Sequence, residues 1–460
     1  MPECKRLNVD YLVVGAGAAG MAFADALIDN ADVNVAIIDR RHGAGGHWLD
    51  AYPFVQLHQA SPFYGVASML LGDGRIQKSG PEAGWYERAF SSEVCAYYVR
   101  ALARLNDSGQ VRFYPNCEYL GDGRFASLVS GELYEMSNGA RIVDASYLSP
   151  DIPLHTPAPF GISDGARVIS VNELVRLHEA PSQFVIAGSG KTATDACVWL
   201  LANGVDPDKI CWVRPRDPWM LNRAKVQPDP VVFIGMLAEA MELAAAASTA
   251  DDLFFRLEEA GIMLRIDPRV NPTMAKTPTL AQWELDELRS IENVVRLGHI
   301  QSVAPGSVSL ATGEVAIAKD AVVVHCAASG LQYPPLVPVW GRDAIRLQSV
   351  QNTFTCFGAA LTGYVEAVCD SDEEKNRLCP PCPYPNTPTD WARTQVLANA
   401  ASVALSARPD IKEWADQTIL NPARIPPERA TETRLLNIVN QFQAHVDAGI
   451  GRLAELSGVA

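Results

Sequence analysis

The chain has 460 residues, 48% of them apolar and 20% charged, with a formal net charge of −15. That length exceeds the ~250–300 residues at which one hydrophobic core stops growing, so two domains are expected. The acidic balance argues against nucleic acid or an anionic membrane as partner. No run approaches the roughly 18 uninterrupted apolar residues of a membrane span, and the 10 scattered cysteines lack a disulfide framework, so a reducing cytoplasm is the expected compartment.

The first readable unit is a strand, a glycine turn and a helix. The apolar run Asp10-Tyr11-Leu12-Val13-Val14 precedes Gly15-Ala16-Gly17-Ala18-Ala19-Gly20, and an Ala-rich segment of helical spacing, Met21 to Ile28, follows. Gly15 suits the tight turn, Gly17 the approach of a pyrophosphate, and Gly20 the close packing of helix on strand. A second apolar strand, Val33 to Ile38, ends at Asp39, where a carboxylate can accept hydrogen bonds from a ribose. These features together predict a dinucleotide site. The apolar N-terminal stretch carries Asp10 and the turn, so it reads as a buried strand and helix rather than a signal peptide.

Asp39 is followed by Arg40-Arg41-His42-Gly43-Ala44-Gly45-Gly46-His47-Trp48. This resembles the acid followed by Gly-Gly-x-Trp of flavin-containing monooxygenases. The resemblance implies FAD on the first turn, with Gly15, Gly17, Ala18, Gly20, Asp39, Arg40, Gly46, His47 and Trp48 as contacts. The aromatic loop from Tyr52 to Ser68 resembles the Tyr-Pro stretch beside the flavin in the same family. Tyr52, His58 and Gln59 become the candidate catalytic residues, with Tyr64 a further candidate for the pocket wall.

Farther along, Ser91 and Ser92 are expected to cap a helix reaching about Leu105, and Val111 to Tyr114 reads as a strand. Phe125 to Val129, Glu132 to Met136 and Ala140 to Tyr147 read as short strands, with Asn138-Gly139 as a hairpin turn. Pro150 to Pro159 is expected to cross to a second domain. There Phe184-Val185-Ile186-Ala187 leads into Gly188-Ser189-Gly190-Lys191-Thr192-Ala193, a second fingerprint with alanine for the third glycine. A nucleoside-triphosphate loop would need glycine where Val185 stands. The next strand, Ile210 to Val213, ends in Arg214-Pro215-Arg216 without an acid, which suits the 2′-phosphate of NADPH better than NADH.

Residues 229–260 and 278–291 read as helices, expected to complete the outer layer of the second domain. The strand Asp320 to Cys326 and Ala327-Ala328-Ser329-Gly330 resemble the Ala-Thr-Gly signature that ends the NADPH domain in this superfamily, adding Ser329. Asn352 to Ala360 resembles the final FAD-domain strand and turn, adding Gly358. Thr389 to Leu405 and Thr431 to Leu456 read as amphipathic helices.

The resemblance implies an α/β fold of two Rossmann-like domains of the three-layer ββα type, the NADPH domain inserted in the FAD domain. The expected boundaries are 1–165, 166–334 and 335–460. It further implies a monooxygenase taking FAD, NADPH and O2, inserting one oxygen into a small organic substrate through a C4a-(hydro)peroxyflavin. The Phe-x-Gly-x-x-x-His fingerprint of N-hydroxylating and Baeyer-Villiger relatives does not precede the second turn. The alternatives are a dithiol oxidoreductase using Cys379-Pro380-Pro381-Cys382, and a flavin-bound protein without turnover. No metal, nucleic acid or membrane is expected, and a homo-oligomer is compatible with the sequence.

Overall fold

The computed structural model describes residues 4–328, 330, 332–351 and 354–459. Its eleven α-helices among these residues are α1 (Ala18–Ile28), α2 (Ser91–Asp107), α3 (Lys191–Ala202), α4 (Pro230–Ala246), α5 (Ala250–Glu259), α6 (Gln282–Arg289), α7 (Thr355–Val368), α8 (Asp372–Leu378), α9 (Pro388–Ser406), α10 (Pro409–Gln417) and α11 (Thr433–Ser457). Two five-stranded parallel sheets organise the chain. The first runs Ile345–Arg346, Arg141–Asp144, Tyr11–Val14, Val35–Ile38, Val111–Tyr114 across its width, and the second Arg167–Ser170, Val322–His325, Phe184–Ala187, Ile210–Val213, Val294–Val295.

The strands are short apolar runs because both faces of each sheet are covered. Successive side chains point to opposite faces, so Leu12 packs with Phe125 and Met136 of a small four-stranded sheet while Val13 packs toward the helices. The second unit repeats this plan. Val185 and Ala187 meet Val303, Val308 and Leu310 of another small sheet, whereas Phe184 and Ile186 face Ala193, Ala196 and Leu200 of α3. All strands of the second sheet fall in the chain between two neighbouring strands of the first, Arg141–Asp144 and Ile345–Arg346. The second unit is therefore inserted in the first, as the resemblance implies.

Three local expectations are corrected. Asn138-Gly139 does not close a hairpin: Leu133–Met136 pairs with Cys4–Leu7 and Arg124–Ser127, while Arg141–Asp144 joins the first parallel sheet. The turn thus carries the chain from one layer to the next. The segment around Gly358 is the first turn of α7, not a strand, and the last strand of the first sheet is Ile345–Arg346 instead. Small residues let α7 lie directly on α1. A Cβ on Gly363 would fall 2.3 Å from the Phe23 carbonyl oxygen, so only glycine permits that spacing.

Helix α4 is the third correction. It does not complete the outer layer of the second unit but crosses α11, where a Cβ on Gly449 would lie 2.6 Å from the Met241 carbonyl oxygen. Phe233, Met236 and Met241 of α4 and Phe254 of α5 join the same core as Val13 and Phe23. An Ala- and Met-rich helix shows no polar face to say which unit it belongs to, and only the packing decides.

Candidate functional site

At the first turn the Gly15 φ of +111° is a backbone state that side chains rarely adopt. It lets the Ala16 N–H donate to Asp39 Oδ2 at 2.7 Å, while Asp39 Oδ1 accepts from the Arg41 N–H at 2.8 Å. Each carboxylate oxygen keeps a second lone pair for a ribose hydroxyl. Gly20 is required by the packing of the turn, since a Cβ there would sit 1.9 Å from the Gly15 carbonyl oxygen. Gly17, the N-cap of α1, has an ordinary φ of −78°, and its Cβ would meet the Gly46 backbone, the Cα at 3.5 Å and the N at 4.0 Å. The fold therefore tolerates a side chain at Gly17, and the free space over the helix end suits a phosphate.

The Gly45–Trp48 segment folds back onto this turn. The Gly45 N–H donates to the Ala16 carbonyl at 2.9 Å, and Gly46, at φ +58°, comes so near Gly17 that a Cβ would lie 2.9 Å from its Cα. The buried Trp48 donates its indole N–H to the Tyr64 hydroxyl at 2.6 Å, and the His47 ring stacks on it at 5.4 Å. Burial, with Arg41 nearby, lowers the His47 pKa to about 4, so its ring is neutral at pH 7. Arg40 lies outside this group, in an exposed ion pair with Glu118 at 2.9 Å. Gly358 packs its backbone on Val350, 3.0 Å from the carbonyl oxygen to a Cβ placed there.

The second turn repeats the geometry. Gly188 has φ +135° and its carbonyl accepts the Trp212 indole N–H at 2.8 Å. A Cβ on Gly190 would meet nothing within 4 Å, which again leaves room at a helix N-terminus. Thr192 stands beside the Tyr52 hydroxyl. Lys191 does not extend into solvent: its ammonium pairs with Asp195 one turn along α3 and lies 3.6 Å from Glu284 Oε1. Ser329 lies outside the described residues.

The two arginines after the second sheet's strand part company. Arg214 is 2% exposed, lies 4.6 Å over the Trp212 ring and approaches Asp217 at 3.4 Å. Its Nε and Nη1 are buried without hydrogen-bond partners. Burial lowers its pKa to about 10 against the pull of Asp217, which leaves it a cation at pH 7. Its Nη1 keeps only the ion pair with Asp217 and its Nε has no acceptor, an arrangement that is costly for a buried guanidinium. Arg216 instead spends its guanidinium on the Thr273 carbonyl at 2.7 Å and Asn386 Oδ1 at 3.1 Å.

Between the turns, the loop that follows Trp48 is fastened to the second unit. The Tyr52 hydroxyl donates to Asp195 Oδ2 at 2.7 Å, and Phe54 stacks on Trp199 of α3 at 4.9 Å. The His58 carbonyl accepts from Arg223 Nε at 2.8 Å, and its Nδ1 accepts the Thr279 N–H at 3.3 Å. Burial, then Lys191, Arg223 and Arg88, lower the His58 pKa to about 3, so it is neutral and carries its hydrogen on Nε2. Gln59 is half-buried next to it.

Beneath this loop lies a buried ion network that no motif announces. Glu82 pairs with Arg88 at 2.9 Å and Arg223 at 2.5 Å, and Arg223 with Glu284 at 2.7 Å. With Lys191 and Asp195 it holds three acids and three bases. Burial alone would raise the Glu82 carboxyl, but Arg223 and Arg88 outweigh it and hold the pKa at about 2. Only the Lys191 and Asp195 pair, four apart on one helix, is legible in the sequence. The thiols of Cys379 and Cys382 are buried, and burial raises the Cys379 pKa. A buried, protonated thiol is a poor nucleophile.

The family model for an NAD(P)-binding Rossmann-like domain matches residues 13–53. Among solved structures, polycyclic ketone monooxygenase from the thermophilic fungus Thermothelomyces thermophila aligns with a TM-score of 0.49 and 14% identity, over 100% of this chain and 89% of that one. The flavin-containing monooxygenase from Stenotrophomonas maltophilia aligns with a TM-score of 0.41 and 14% identity, over 78% and 97%. The uncharacterized proteins Rv2000 of Mycobacterium tuberculosis and Mb2023 of Mycobacterium bovis are each 40% identical over 463 residues, covering 99% of this chain and 86% of theirs. At that identity and coverage, the chain belongs to the family of these mycobacterial proteins.

Proposed function

We propose that the chain is an NADPH-dependent FAD monooxygenase acting on a small organic substrate. The overall balance is substrate, O2, NADPH and a proton going to oxygenated substrate, NADP+ and water. Bound FAD would supply the electron transfer and oxygen chemistry. The observation that carries this reading is the Gly45–Trp48 segment folded onto the first turn, with Trp48 tied to Tyr64.

In this reading residues 1–165 and 335–460 hold FAD and the inserted unit within 166–334 holds NADPH, with α4 and α5 serving the FAD side. Gly17, Ala18, Asp39 and Gly46 bind FAD; Gly190, Lys191, Thr192 and Arg214 face NADPH. The neutral His58 offers its Nε2 hydrogen as a donor, and Gln59 adds an amide. Tyr52, committed to Asp195, holds its loop against α3.

The test is reduction of the bound flavin by NADPH under nitrogen, followed by admission of labelled O2 with small ketones, sulfides and amines. One labelled oxygen in the product is expected. Return of all oxygen as hydrogen peroxide or water with every compound counts against the reading. Exchange of Cys379 and Cys382 for serine is expected to leave NADPH oxidation near normal. Loss of turnover in a folded, FAD-replete double variant would favour the dithiol reaction.

A further inference from the structure

A pocket opens among α4, α7, α9 and α11, at the far side of the first unit's core from the small sheet. Phe233 of α4 and Phe357 of α7 line it, and Phe442 of α11 forms another part of its wall. Gln395 and Asn399, one turn apart on α9, supply polar groups with Gln351 and Ser402, whereas the Asn421 amide on the rim is bonded to the Ala415 carbonyl and the Ala423 N–H. Among the described residues, no ionisable side chain lines it. An ammonium or carboxylate placed there would lose its hydration without gaining a partner, whereas an amide can donate to a carbonyl or accept from a hydroxyl.

The pocket also abuts the loop that carries the flavin-side aromatics. Phe233 packs its ring on Phe63 at 6.2 Å and on Phe354 at 5.8 Å. Phe63 immediately precedes Tyr64, the hydroxyl partner of Trp48. Next to Phe357, the Cys356 sulfur accepts the Gly65 N–H at 3.4 Å. Gln351, which lines the pocket, has φ +51°, a left-handed state that a non-glycine residue adopts only at a cost in free energy and that clusters at ligand sites.

We propose that this pocket is the substrate site, and that it takes an uncharged, largely apolar molecule bearing a carbonyl or hydroxyl, not an amine. The assignment of substrate rests on the monooxygenase reading above. The amides of Gln395 and Asn399 hold the polar group, and the three phenylalanines enclose the apolar body.

The experiment uses the FAD-loaded protein and Nile red, an uncharged dye whose fluorescence rises in apolar surroundings. The dye is titrated, then displaced by 2-decanone or by decylamine at pH 7, where the amine is a cation. Displacement by 2-decanone at least tenfold more effective than by decylamine is expected. Ala398→Trp fills the pocket and Ser402→Trp, at an exposed position of α9, obstructs its edge; each is expected to weaken dye and ketone at least tenfold. FAD content and the rate of flavin reduction by NADPH without ligand are expected to stay unchanged. Equal displacement by amine and ketone, or undiminished ketone binding in both tryptophan variants, overturns the proposal. Ketone binding of the expected pattern without oxygen transfer supports the pocket and counts against the monooxygenase reading. Oxygen transfer to 2-decanone undiminished in both variants overturns the pocket and leaves that reading standing.

Discussion

Gly17→Ala separates a glycine kept for a ligand from one kept for the fold. The backbone there has φ −78°, which alanine adopts freely, and the new methyl would stand 3.5 Å from the Gly46 Cα, an ordinary contact. The cost to the folded chain is then no more than that of a poorer helix N-cap, about 1 kcal/mol or less. In the complex the methyl occupies the space through which a pyrophosphate reaches the α1 N–H groups. Loss of one charge-assisted hydrogen bond removes about 1.5–3 kcal/mol, or roughly tenfold to a hundredfold in FAD affinity. Gly20→Ala is the control, because its Cβ would lie 1.9 Å from the Gly15 carbonyl oxygen and must break the turn. FAD titration of the apoprotein gives affinity, and thermal unfolding of the same apoprotein gives stability. Wild-type FAD affinity in Gly17→Ala would refute the placement of the pyrophosphate. A fall in apoprotein Tm as large as that of Gly20→Ala would refute the claim that the space is held for a ligand.

Arg214→Ala is expected to weaken NADPH by roughly tenfold to a hundredfold with little change for NADH, since in the proposed reading only NADPH carries the 2′-phosphate that this cation attracts. Arg216→Ala is expected to leave both nucleotides unchanged and to lower Tm, because its hydrogen bonds tie Thr273 to Asn386; flavin reduction with each nucleotide checks both. Arg223→Leu leaves Glu82 and Glu284 buried without their shared partner, an expected loss of about 3–5 kcal/mol in chemical denaturation; a loss under 1 kcal/mol contradicts it. Stability is expected to fall on acidification. The folded His58 pKa of about 3 lies below its ordinary 6.5, so protons bind the unfolded chain preferentially as pH falls through 6.5, at a cost of up to ~2 kcal/mol at pH 5. The Glu82 contribution is present above 4.5 and is lost toward pH 2. A Tm that rises between pH 7 and 4 contradicts this.

The sequence by itself determined both nucleotide turns. A glycine turn between an apolar strand and a helix is a local constraint: Gly15 and Gly188 need positive φ, and Gly20 must admit its neighbour's carbonyl, whatever the rest of the chain does. What only the tertiary structure decided depends on contacts between distant residues. Asn138-Gly139 between two short strands reads as a hairpin turn, yet those strands belong to different layers, which no local pattern encodes. Arg214 and Arg216 are chemically alike and two apart, but burial over Trp212 left the first with unmatched donors while Thr273 and Asn386 occupied the second. The network of Glu82, Arg88, Arg223 and Glu284 joins residues up to about two hundred positions apart. Charged side chains give no sign of burial until folding withdraws water and leaves each the other's only available partner.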